Sequence, residues 1–120
     1  MNKNHLVWPS INAVVARYQT SDKNSQNISD IEKQIIVRRT LTALRTFFYE
    51  NELLSNFEKD ANGKLIDRNY YRDDFTEDGM ELLKRKVSSW LDSKGAQKNP
   101  PDMKILEKAL SEIRSSKKIY

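Results

Sequence analysis

The chain has 120 residues, of which 38% are hydrophobic and 32% charged, and a formal charge of +4. That suffices for one domain with a modest core, and residues 1–120 read as a single helical domain. With no cysteine and a single histidine, His5, the composition excludes a disulfide framework and leaves no set for a His/Cys transition-metal centre. A histidine-based catalytic triad would have only His5 to use, and its place at the N-terminal end argues against one.

No apolar run approaches the roughly 20 residues that span a bilayer, and Leu6-Val7-Trp8 is cut off by Pro9 before it resembles a signal peptide. The expectation is therefore a cytoplasmic protein without a membrane role. Its charges are unevenly spread. Lys and Arg outnumber Asp and Glu by seven to four in residues 1–50 and by ten to five in 81–120, but are outnumbered four to eight in 51–80. An acidic middle between two basic portions points to folded surfaces of opposite sign.

In chain order, Trp8-Pro9-Ser10 leads into a short helix through about Tyr18, with Ile11, Val14 and Val15 on one side. Residues 19–27 are polar and turn-rich, which predicts an exposed loop. Ser29 or Asp30 then caps the longest helix: Ser29 with Glu32 fits the capping box, and Ile28 fits the hydrophobic staple. Ile31, Ile35, Val37, Leu41, Leu44 and Phe48 draw an apolar strip along it, widened by Ile36, Ala43 and Phe47. So broad a face predicts the centre of a bundle. A break is expected near Glu50-Asn51, with Leu53, Leu54 and Phe57 adding a further turn or two.

Asp60 to Lys64, DANGK, is a turn, because Asn62-Gly63 readily supplies the positive φ angles of a type I′ turn. It closes either a small hairpin over residues 57–66 or a loop between helices. A calcium loop starting at Glu58 is rejected, since Asn69 stands where a bidentate glutamate is needed. Residues 67–74, DRNYYRDD, read as a polar connection.

The best-defined helix follows. Thr76 caps it, Glu77 and Asp78 suit its positive end, and Met80, Leu83, Val87, Trp90 and Leu91 recur at helical steps before Gly95. Pro100 and Pro101 forbid helix across the next loop. From Asp102 a last helix places Leu106, Ala109, Leu110 and Ile113 on one face, with a basic end at Arg114, Lys117 and Lys118. The expected fold is all-α, a compact bundle of four to five helices, with Leu44, Phe47, Phe48, Leu83, Val87, Trp90 and Leu110 in its core.

No set of residues equips this chain for catalysis, metal binding or a cofactor, so function is sought on the surface. Asp67, Asp73, Asp74, Glu77 and Asp78 read as an acidic contact patch for a basic partner, with Tyr70 and Tyr71 supplying area. Arg38, Arg39 and Arg45, with Lys84, Arg85 and Lys86, form basic clusters that suit a solvated face or, alternatively, phosphate contacts to nucleic acid.

Phe75-Thr76-Glu77-Asp78-Gly79-Met80-Glu81-Leu82-Leu83, then Trp90-Leu91, then Asp102 to Leu110, resembles the C-terminal part of small helical immunity proteins of bacterial contact-dependent growth inhibition and related polymorphic-toxin systems. The resemblance implies a non-enzymatic partner that neutralises a cognate toxin domain by direct protein contact.

Overall fold

The computed structural model describes residues 5–17 and 28–116. It is mostly helical, roughly as expected, with the addition of a small sheet in which two short strands tie distant parts of the chain together. β1 (Leu6–Trp8) pairs antiparallel with β2 (Tyr70–Tyr71), Leu6 opposite Tyr71 and Trp8 opposite Tyr70. The connection expected at residues 67–74 is thus partly a strand. The pairing is irregular between Leu6 and Trp8, two steps on β1 facing one on β2, and this bulge leaves Trp8 and Tyr70 in the core while Leu6 remains half exposed.

α1 (Ile11–Ala16) starts where Ser10 Oγ accepts the Ala13 amide at 3.2 Å, and it buries Ile11 and Val15. Its expected last residue, Tyr18, and the loop at 19–27 lie outside the described residues. α2 (Ile28–Glu50) begins one residue before the expected cap at Ser29. The side chains of Ile28, Ser29 and Asp30, on which the capping box and staple rest, also lie outside the described part.

α2 is not the centre of a bundle. Its second half is buried through Leu44, Phe47 and Phe48, but Ile31 and Ile35 on its first half are 48% and 57% exposed. An apolar strip reports which residues are able to be buried, and only the second half is given neighbours enough to bury them.

The helix ends as expected at Glu50. Glu52 takes φ +60°, and the Leu53 and Glu52 amides donate back to Phe48 O at 2.8 Å and Tyr49 O at 3.2 Å, the Schellman pattern. Leu53 and Leu54 do not add a helical turn. They run extended, Leu54 bridging to Phe75, and both are buried.

Of the two readings of 57–66, the hairpin is the one formed, with Lys59 bridged to Leu65 and the Ile66 amide donating to Glu58 O. Its turn is not type I′, since only Gly63 has a positive φ, +81°. The Gly63 amide donates to Asp60 O, and Asp60 Oδ1 accepts the amides of Asn62 and Lys64. Asp60 therefore closes a three-residue loop, one residue longer than a type I′ turn, that needs a left-handed residue only at Gly63.

After a 3-10 turn at Arg72–Asp74, α3 (Glu77–Leu82) is capped by Thr76, whose hydroxyl accepts the Gly79 amide at 3.0 Å. Gly79 packs on the end of the α2 connection; a Cβ there would lie 2.5 Å from Leu53 O. A π turn (Leu83–Val87) then leads into α4 (Ser88–Leu91). Because the π turn inserts one residue, the buried positions are Gly79, Leu82, Val87 and Trp90. Of the expected stripe, Leu83 and Met80 are half-buried and Leu91 is exposed.

A 3-10 turn (Gly95–Gln97) precedes α5 (Lys104–Ser116), which buries the expected Leu106, Ala109, Leu110 and Ile113. One core cluster joins these to Trp8, Phe48, Phe75 and Trp90.

Candidate functional site

The structure divides the expected acidic contact set. Tyr70 is removed from the surface altogether, at 0% exposure, with its ring edge-on to Trp8 at 5.8 Å and Phe75 at 6.3 Å. Asp67 serves the fold: its carboxylate accepts the amides of Ile11 at 2.6 Å and Asn12 at 3.0 Å, holding the first turn of α1, and reaches Arg45 at 3.4 Å. Asp74 accepts the Tyr71 amide at 2.8 Å and pairs with Arg68 at 3.3 Å. Asp78 is half-buried and pairs with Arg114 across to α5 at 3.7 Å.

Asp73 and Glu77 remain exposed and Tyr71 half exposed. Beside Tyr71 stands Leu6, 50% exposed and opposite it in the sheet. These four residues sit on a segment held by backbone bonds at several points: the Arg72 amide donates to His5 O, and the Ser55 and Thr76 amides donate to Asp74 O and Leu53 O.

The basic clusters also separate. Arg45 is 5% exposed, so it cannot serve as a phosphate contact on an open face. Arg38 donates to Asn12 Oδ1 at 2.9 Å and Arg39 to Gln97 O at 2.8 Å, each stitching α2 to a neighbouring element. Lys84, Arg85 and Lys86 are exposed together on the π turn, with Arg85 paired to Glu81 on the turn before.

Arg45 and Tyr70 form the electrostatic centre of the molecule. The Arg45 guanidinium donates to Pro9 O, to Arg68 O at 3.4 Å and to Asp67, and lies 5.2 Å from the Trp8 ring centroid and 5.8 Å from that of Tyr70. Burial lowers the pKa of Arg45, with Asp67 acting against that. Arg68 covers the same tyrosine ring at 4.4 Å. Burial raises the Tyr70 pKa, opposed by the charges of Arg68 and Arg45. Two buried polar atoms in this group, Tyr70 Oη and Arg45 Nε, have no hydrogen-bond partner.

No protein-family model, curated protein or solved structure matches this chain. Among the described residues no group of three or more His, Cys, Asp or Glu is placed to hold a metal ion, and no helix is long and apolar enough to cross a membrane.

Sequence reasoning missed Trp8 and Arg68 as organising residues. Trp8 carried a signal, as a large apolar side chain just ahead of a helix start, but its partners lie near residue 70 and no local pattern joins the two. Arg68 carried none, since an arginine among carboxylates reads as a solvated residue.

Proposed function

We propose that this chain is a binding protein without catalysis of its own, which neutralises a cognate bacterial toxin domain by direct contact. The contact centres on Leu6, Tyr71, Asp73 and Glu77. The observation that supports this reading is the exposed apolar and acidic face on a segment already fixed by the β1–β2 pairing and the Asp74 bonds. A face ordered before binding loses little further entropy on association, which favours affinity. Its apolar centre with acidic neighbours suits a basic partner, and toxins that act on nucleic acid present such surfaces.

The structure-based contact set is smaller than the one read from sequence. Asp67, Asp74 and Tyr70 support the face from behind, so changing them tests stability and not recognition. The informative variant is the pair Asp73→Lys and Glu77→Lys. Titration with a purified toxin domain, should a neighbouring reading frame encode one, followed by calorimetry, should show saturable binding by the parent. The double variant should bind at least about tenfold more weakly, the loss of one to two kcal/mol expected of reversed rim charges, with an unchanged far-UV circular dichroism spectrum. No binding by the parent sinks the toxin assignment, and equal binding by the variant sinks this face. The nucleic-acid alternative now rests on Lys84, Arg85 and Lys86; a mobility shift that weakens steeply with salt would favour it instead.

A further inference from the structure

We propose that the first half of α2 pairs, antiparallel, with the same segment of a second copy of this chain. This contact shares no residue with the toxin-binding face and does not depend on it. Ile31 and Ile35 stand one turn apart on the surface, 48% and 57% exposed. With Gln34 and Arg38 they line a hollow of about 330 Å³, walled further by Val15 and Arg39. Residues 31, 34, 35 and 38 have the i, i+3, i+4, i+7 spacing of the hole that a side chain from a facing helix enters in knobs-into-holes packing. A helix is therefore the element whose shape suits this face. Residues 19–27, which adjoin it in sequence, contain no apolar residue to cover it.

The charges say which helix. Glu32 stands three residues before Ile35 and Arg39 four after it, so the two lie two turns apart on one side of the apolar strip. Ile31 and Arg38 have the same seven-residue separation on the other side. A two-fold axis at Ile35 reverses one helix against the other. Glu32 of each copy then meets Arg39 of the other, Ile31 of each meets the aliphatic stem of Arg38, and Ile35 packs on Ile35 at the axis. An isologous contact requires this kind of self-complementarity. A parallel pairing would instead set Glu32 on Glu32 and Arg39 on Arg39.

These charges are also unspent within the chain. Among the described residues Glu32, which is exposed, has no ion-pair partner. Arg38 and Arg39 donate to Asn12 Oδ1 and Gln97 O, neutral acceptors that leave both positive charges uncompensated. The contact is small. A few turns of helix bury less than the roughly 800 Å² per partner of a standard interface, so the dissociation constant should be on the order of 0.1–1 mM.

Sedimentation equilibrium of the full-length protein, from about 20 µM to about 1 mM, should show the average mass rising from one copy toward two. Ile35→Lys, which sets two ammonium groups against each other at the axis, should keep the mass of one copy throughout, with the parent's thermal melt because the position is exposed. Glu32→Arg and Arg39→Glu should each self-associate about tenfold more weakly, since each creates two like-charge contacts per pair. A one-to-one mixture of these two variants restores both attractions and should associate as tightly as the parent, a recovery that a folding defect would not give. A parent that stays at the mass of one copy near 1 mM, an Ile35→Lys protein that associates like the parent, or a mixture no tighter than its components would each overturn the proposal. The Asp73→Lys/Glu77→Lys protein should self-associate like the parent, which separates failure of this contact from failure of the toxin-binding face.

Discussion

Asp67 caps α1 and steadies a buried guanidinium with the same carboxylate. Replacing it by alanine removes both roles and leaves Arg45 with carbonyl oxygens only. The cap alone is worth about 1 kcal/mol, and stranding a buried charge costs several more. Asp67 is itself part-exposed, at 26% for its side chain, so water recovers some of that loss. Asp67→Ala should destabilise by about 2–4 kcal/mol in a denaturant melt; a change below about 0.5 kcal/mol, the level of an ordinary surface substitution, would show that Arg45 does not need it. Tyr70 gives a pH signature. Burial raises its pKa in the fold above the ordinary value of 10.0, so near that pH the unfolded chain loses a proton that the fold retains. Stability that is complete below pH 10 is then lost as pH rises toward the folded pKa. Burial lowers Arg45, which acts in the opposite direction, but a guanidinium stays protonated in proteins, so the alkaline signature belongs to Tyr70. Melts from pH 8 to 11 should show a steeper alkaline loss in the parent than in Tyr70→Phe, and parallel curves would contradict the assignment. Neither role was legible in the sequence. A tyrosine and an arginine are amphipathic, and only contacts from residues far along the chain decide whether they are buried.

At the scale of elements, legibility follows the regularity of the backbone. α5 is a regular helix, and its four buried residues are those the 3.6-residue period selects. The Glu77–Leu91 stretch has the same quality of start signal and its cap is the expected Thr76, yet before the π turn it buries Gly79 and Leu82 in place of Met80 and Leu83, and it meets the expected Val87 and Trp90 only beyond that turn. The cause is the π turn at Leu83–Val87, which spaces the buried Leu82 and Val87 five apart, where an α-helix would use four. A period-based reading assumes uniform winding and so chooses Leu83. Deleting the exposed Arg85 tests this account directly. In a uniform helix one deletion rotates everything beyond it by about 100° and buries the wrong face, at a cost of several kcal/mol. Here it would restore α spacing between Leu82 and Val87 and leave both in the core. The deletion should therefore keep a cooperative melt, with a midpoint within about 5 °C of the parent, a change of order 1 kcal/mol for a chain of this size. Collapse of the melt would mean that the π turn is required for another reason. Strands β1 and β2 were beyond reach for a different cause: three and two residues carry too little alternation to be detected, and their pairing joins segments remote in sequence.

For the molecule as a whole, the question is whether the β1 end and the α5 end form one cooperative unit. Trp8 and Trp90 mark these ends and belong to the same core cluster. Trp8 packs on Phe48 at 4.9 Å and Phe75 at 4.8 Å, while Trp90 Nε1 donates to Asp102 O at 2.8 Å, locking the approach to α5. Phe48 comes from the last turns of α2 and Leu53 from the chain just after it, and Arg114 of α5 donates to Asn51 O in the same corner. The connections at the β1 end span long separations, such as the 59 positions between Ser10 and Asn69. Length is a weak objection, because the entropy of closing a loop grows only with its logarithm. Shared burial around Phe48 is the stronger term, since losing either end exposes the other's partners. Single-tryptophan proteins, Trp8→Phe and Trp90→Phe, allow each end to be followed by fluorescence. Within each variant, fluorescence and far-UV circular dichroism should give the same denaturant midpoint and slope, as a two-state domain requires. If the signal of Trp8 instead changed at lower denaturant than the helical signal of the same protein, β1 would be detaching on its own. The face made of Leu6 and Tyr71 would then be assembled only part of the time, and its advantage as a pre-ordered contact would be lost.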